Sequence, residues 1–110
     1  MTKFSLAELE KRIATRAKAS AKASYTRALL DQGVAHCAKK LGEEAIETGL
    51  AAVGETRKRL ASEAADLIYH LLVVLKSRGV PLKDVEKVLE RRTMQSGHAE
   101  KASRRKPGKK

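Results

Sequence analysis

Tryptophan is absent from this 110-residue chain, and the other aromatics are one Phe and two Tyr. A core must therefore come from Ala, Leu, Val and Ile. Such a core suits close-packed helices better than a sheet, where aromatic and β-branched residues concentrate. A single Cys excludes an intramolecular disulfide framework and fits a reducing compartment. Seven Gly and two Pro are too few for a loop-rich fold. Long apolar runs are missing too. The longest unbroken run of large apolar residues is Leu71 to Leu75, far short of the roughly 20 residues of a membrane span. The first segment, MTKFSLAELEKRIATRAKAS, lacks the apolar stretch of a secretory leader. No membrane partner and a cytoplasmic location are the expectation.

What is abundant is positive charge, and it is unevenly placed. The net charge is +11. Residues 1–30 carry seven Lys/Arg against two acids, and residues 96–110 carry six against one. The stretch between them, residues 31–95, is nearly neutral, with eleven against ten. Basic ends on a neutral body fit attraction of an anionic partner, nucleic acid or polyphosphate. Residues 96–110 have almost nothing to bury and read as a disordered basic tail following a domain over 1–95.

The remainder reads as helices separated by stop signals. Ser5-Leu-Ala-Glu8 is a capping box, and the spacing predicts helices over about 6–18, 25–32, 34–53, 56–78 and 82–94. Gly33, Gly54, Gly79 and Pro81 mark the breaks. The expected fold is all-α, a bundle of four to five helices with antiparallel neighbours. Val34, Ala38, Leu41, Ala45 and Ala52 share one face of the third helix, widened by Ile46 and Val53. The fourth helix is apolar nearly all round between Ala64 and Leu75, which requires burial on most sides. A chain this short has little room to bury a whole helix. A homodimer packing these helices across its interface is therefore expected.

Against that apolar background, acids stand out in the two central helices. Glu43, Glu44 and Glu47 lie on the third helix, Glu63 and Asp66 on the fourth. Spacings of three or four put side chains on one helix face. Glu63 pairs in this way with Asp66, and Glu47 with either Glu44 or Glu43. Asp66 stands inside the most apolar segment, where a buried carboxylate needs compensation. One compensation is a cation: two antiparallel helices would converge four carboxylates on a site of the kind hard divalent metals choose. The plainer alternatives are a solvated face balanced by Lys39 and Lys40, and an Asp66 paired with His70 or a distant base. No GxxxxGK[ST] loop and no Cys or Ser nucleophile arrangement is present.

The acids form the pattern EExxE, fifteen residues, then ExxD: Glu43-Glu44-Ala-Ile-Glu47 and Glu63-Ala-Ala-Asp66. This resembles the signature of the all-α nucleoside-triphosphate pyrophosphohydrolases. Four segments narrow the resemblance to the phosphoribosyl-ATP pyrophosphohydrolase family. They are Ser24-Tyr-Thr-Arg-Ala-Leu-Leu30, Lys40-Leu-Gly-Glu-Glu-Ala-Ile-Glu47, Glu63-Ala-Ala-Asp-Leu-Ile-Tyr-His-Leu-Leu-Val73 and Arg78-Gly-Val-Pro-Leu82. The resemblance covers about residues 6–92. It implies a helical, Mg²⁺-dependent homodimer that hydrolyses phosphoribosyl-ATP to phosphoribosyl-AMP and pyrophosphate, the second step of histidine biosynthesis. By position it implies Glu44, Glu47, Glu63 and Asp66 as metal ligands, and Glu43 as a catalytic candidate that either supports a ligand or orients water. Lys40, one turn before Glu44, becomes the first candidate for a substrate phosphate contact, with Lys39 second. The family places a base two positions after the Thr of its Ser-Tyr-Thr motif. That position is Ala28 here, and Arg27 stands about 100° around the helix from it.

The mechanism implied is direct attack by metal-activated water, without a covalent intermediate. Two other readings share some of these features. A house-cleaning pyrophosphohydrolase of other nucleoside triphosphates would carry the same acids. A basic helical nucleic-acid-binding protein would explain the ends but not the acids, and the scarcity of base-stacking aromatics argues against it.

Overall fold

The structure, a computed structural model, describes residues 3–94. The expected basic tail over 96–110 lies outside the described residues. Five helices and no strand occur among the described residues: α1 (Leu6–Arg16), α2 (Tyr25–Asp31), α3 (Val34–Gly54), α4 (Arg57–Ser77) and α5 (Leu82–Thr93). The fold is all-α, as the composition implied.

The caps explain the boundaries. The Ser5 hydroxyl accepts from the Glu8 N–H at 3.2 Å, the first half of the expected capping box. Glu8 itself turns to Arg12, 3.6 Å away. Ser24 and Thr56 cap α2 and α4 in the same way, accepting from the Arg27 and Arg59 N–H groups at 3.1 Å. The end of α4 is a Schellman motif. Val80 N–H donates to the Leu75 carbonyl and Gly79 N–H to the Lys76 carbonyl, and Gly79 takes the left-handed φ of 70° that this closure requires.

Helices α1–α4 belong to one compact unit that ends at Val80, and α5 belongs to a second beginning at Pro81. Within the first unit the α3–α4 hairpin is the frame. Only Glu55 and Thr56 separate the two helices, which pack along their length. Helix α2 rests on both, and α1 packs on α4 and α2. The core draws on all four: Ile13, Leu29, Cys37, Ala51, Leu72 and Val73 are buried. Cys37 is a small core residue whose thiol reaches the Leu29 carbonyl at 3.3 Å. Helix α5 carries Asp84 in its first turn and Arg91 and Arg92 in its last, a charge order that suits the helix dipole.

Two sequence expectations take a different form. The apolar face assigned to α3 is not its core face. Cys37 and Ala51, with Thr48 bonded across to α4, mark the side that meets α4. Ala38, Ala45 and Ala52 are exposed, as are Val34 (40 %), Ile46 (67 %) and Val53 (90 %). Nor does α4 bury its whole circumference within one chain: Leu71 remains 39 % exposed.

Candidate functional site

The α3–α4 hairpin brings acids from both helices to one level. Thr48 lies seven residues before Glu55 and Glu63 seven after Thr56, so the two are opposite each other in the hairpin. The Thr48 hydroxyl sits between two carbonyls, Glu44 O at 2.8 Å on its own helix and Glu63 O at 3.1 Å across the interface. That contact fixes the register at which the acids meet. Glu44, Glu63 and Asp66 each offer a carboxylate oxygen, and these oxygens lie within 4.8 Å of one another.

Glu63 is the buried member, only 6 % exposed. Its Oε2 accepts from Arg59 Nη2 at 2.7 Å. Its Oε1 is buried without a hydrogen-bond partner. An unpartnered carboxylate oxygen away from water is costly. Glu44 is half-buried and Asp66 exposed. The sequence had singled out Asp66 as the buried acid, and the structure corrects this. Asp66 is offset by about 60° around α4 from Glu63, so an apolar stretch of sequence can still turn it to solvent. Three hard oxygen donors, one of them unsatisfied, fit an oxygen-seeking divalent cation and offer nothing to a soft metal.

Glu47 stands outside this trio. It is exposed, and its charge acts on Arg59. Glu43 bonds to Lys40, with Oε1 3.2 Å from Nζ. This bond and the Glu43 charge, with smaller contributions from Tyr25 and Glu44, raise the Lys40 pKa above its ordinary value. Lys40 is thus paired with Glu43, the neighbour in sequence of Glu44, whereas Lys39 is simply exposed. Arg27 is occupied by the fold: its Nε donates to Asp31 Oδ1 at 2.8 Å and its Nη1 reaches the Ala17 and Ala19 carbonyls. It fastens the α1–α2 connection.

His70 is buried, but it does not touch the Asp66 carboxylate. Its Nδ1 lies 2.8 Å from the Asp66 backbone carbonyl. A carbonyl only accepts, so Nδ1 carries the proton, and in the neutral ring Nε2 faces the Tyr25 hydroxyl at 3.5 Å as acceptor. Tyr25 stacks on Tyr69 with ring centroids 6.3 Å apart, and Tyr69 meets His70 edge-on at 5.0 Å. The Tyr69 hydroxyl bonds to the buried Thr26 hydroxyl. Burial pushes the Tyr69 phenol up, partly offset by the Thr26 bond. The aromatic cluster thus ties the Ser-Tyr-Thr segment of α2 to the turn of α4 that follows Asp66. Sequence reasoning missed this cluster, as well as Thr48 and Arg59. For Arg59 a signal existed, since it stands four residues before Glu63.

The match to known proteins now decides the family. The model of the phosphoribosyl-ATP pyrophosphohydrolase family matches residues 6–93. The chain belongs to that family. A phosphoribosyl-ATP pyrophosphatase of Azorhizobium caulinodans is 59 % identical over 102 residues, covering 93 % of this chain and 94 % of the relative. The Rhizobium meliloti protein of the same name is 56 % identical over 107 residues, 97 % of this chain and all of the relative. A protein named phosphoribosyl-ATP pyrophosphatase 1, from Bradyrhizobium diazoefficiens, is 53 % identical over 105 residues. The matched residues 6–93 span the whole hairpin and every acid of the trio. No helix among the described residues is long and apolar enough to cross a membrane.

Proposed function

We propose that this protein hydrolyses phosphoribosyl-ATP to phosphoribosyl-AMP and pyrophosphate, the histidine-pathway step implied by its sequence resemblance. One observation carries the reading beyond family membership: Glu44, Glu63 and Asp66 converge, and the buried Glu63 Oε1 has no partner. These three residues would hold Mg²⁺, with Glu47 joining from the exposed side of α3. When bound, Mg²⁺ neutralises polyphosphate charge and lowers the pKa of water. Lys40, paired with Glu43, presents a positive charge to the phosphates. Glu43 is the ion-pair partner of that lysine and, in this reading, orients the attacking water. Thr48 holds the two halves of the acid site in register.

The working unit is, in the same proposal, a homodimer. Ile46, Leu50 and Val53 are 67 %, 64 % and 90 % exposed on α3. Beside them run Gly42, Ala45, Gly49 and Ala52, all exposed. A Cβ at either Gly would meet nothing within 4 Å, so the chain's own packing does not call for glycine there. Small residues flanked by large apolar ones suit close approach of another helix, and an exposed patch of this kind calls for cover. A cytoplasmic location follows the same family reading.

Hydrolysis in ¹⁸O-labelled water tests the chemistry. Direct attack by solvent puts label in phosphoribosyl-AMP or in pyrophosphate. Label in neither product, or no turnover by the folded protein, overturns the proposal.

A further inference from the structure

The acid site already holds a cation of its own. Arg59, one turn before Glu63 on α4, donates from Nη2 to Glu63 Oε2 at 2.7 Å and from Nε to Glu55 Oε1 at 3.1 Å. Its charge also feels Glu47. The guanidinium therefore bridges a buried acid of the trio and an acid outside it. The two ends differ sharply in surroundings: the Glu63 side chain is 8 % exposed, that of Glu55 44 %, and that of Arg59 55 %. Arg59 satisfies one oxygen of Glu63 and leaves Oε1 without a partner.

We propose that Arg59 is a displaceable counter-ion of the acid site. It neutralises Glu63 while no metal ion is bound and shifts to Glu55 when a divalent ion arrives. The Arg59–Glu55 pair thereby sets how tightly the site binds its ion. The inference rests on the reading of Glu44, Glu63 and Asp66 as a metal site. Three features support it. A divalent ion and a guanidinium on one small carboxylate repel each other strongly where little water separates them. Displacement requires only one bond to break, because Nε is already held by Glu55. And Glu55 is well exposed, so it remains a solvated receptor that takes no part in the trio. Binding of the ion is then a competition, and its apparent affinity is lowered by whatever holds Arg59 on Glu63.

The test is calorimetric titration of Mn²⁺ and Mg²⁺ into the full-length protein, with no substrate present. Arg59→Gln removes the competitor and is expected to bind Mn²⁺ about tenfold more tightly, the size of one charge-assisted hydrogen bond. The same variant melts lower than wild type in EDTA, because Glu63 has lost its counter-ion. Glu55→Gln, a surface change that leaves the trio intact, removes the receptor and is expected to weaken Mn²⁺ binding several-fold. In the Arg59→Gln background that effect shrinks to the loss of one distant negative charge. Equal or weaker binding by Arg59→Gln, or an effect of Glu55→Gln that is the same in both backgrounds, overturns the proposal and leaves the metal reading standing. A folded wild-type protein that binds neither ion overturns the metal reading, and this proposal with it.

Discussion

Replacing Glu63 by Gln separates the cost of the acid site from its use. The shape is kept and one charge is removed. In the wild type, Glu63, Glu44 and Asp66 hold carboxylate oxygens within 4.8 Å of one another. Two unit charges at that distance repel by about 3 kcal/mol at an effective dielectric of 20. Asp66 is exposed and Glu44 half-exposed, and solvent screening reduces this to about 1 kcal/mol per pair. Glu63→Gln removes two such repulsions and replaces the orphaned carboxylate oxygen with a neutral amide. It also weakens the charge-assisted bond to the half-exposed Arg59, a loss of about 1 kcal/mol. The net expectation without metal is a gain of about 1 kcal/mol, or roughly 5 °C in Tm for a domain of this size. In excess Mg²⁺ the order reverses: wild type is stabilised by binding and the variant is not. Hydrolysis falls by more than about 100-fold, the upper range for residues that only support metal ligands. Scanning calorimetry in EDTA and in Mg²⁺, with pyrophosphate release alongside, measures all three quantities. A variant that melts several degrees below wild type in EDTA, yet keeps the Mg²⁺ response and turnover, would show that Glu63 is a structural acid tethered by Arg59.

Other consequences follow from individual contacts. Leu50→Glu costs a single chain little, since Leu50 is 64 % exposed, but in the proposed dimer it should halve the mass seen by light scattering from twice the 12.0 kDa of one chain; an unchanged mass contradicts the proposed interface. Lys40→Gln should raise KM for phosphoribosyl-ATP about tenfold with a smaller loss in kcat. Lys39→Gln should do less, and equal effects would contradict the placement of Lys40 beside the acids. Tyr69 is raised by burial above its ordinary value of 10.0, as Cys37 is above 9.0. In both cases the folded state holds the proton more tightly. The stability they contribute is full below the ordinary values and is lost as pH rises through the folded ones. Urea midpoints should therefore fall on the alkaline side, and less steeply in Tyr69→Phe; a phenol titrating below its ordinary value in the ultraviolet spectrum would contradict this.

The helices were legible because their ends carry local chemistry. Ser5, Ser24, Gly33 and Pro81 each act on neighbours within a few residues, so the expected bounds fall within two residues of the observed ones. The level at which acids converge was legible for a similar reason, since an antiparallel hairpin with a short turn fixes which residues face each other. The choice of buried acid was not legible. Asp66 has more apolar neighbours in sequence, but Glu63 occupies the side of α4 that Thr48 bonds. Helix periodicity names faces without saying which face meets a partner. The same ambiguity misled the reading of α3, where the more apolar side is the exposed one in a single chain. The Tyr25–Tyr69–His70 cluster joins segments more than forty residues apart, and no local pattern announces it. Arg27 was displaced from the family position in sequence, and the structure gives it a different task, fastening the α1–α2 connection.

The central claim is that the hairpin acids serve Mg²⁺-dependent hydrolysis of phosphoribosyl-ATP. Pyrophosphate release from phosphoribosyl-ATP, with ATP and other nucleoside triphosphates in parallel, each in Mg²⁺ and in EDTA, tests it most directly. The account predicts release from phosphoribosyl-ATP in Mg²⁺, none in EDTA, and little from ordinary triphosphates. Release that survives EDTA, or that is as fast from ordinary triphosphates, would contradict it.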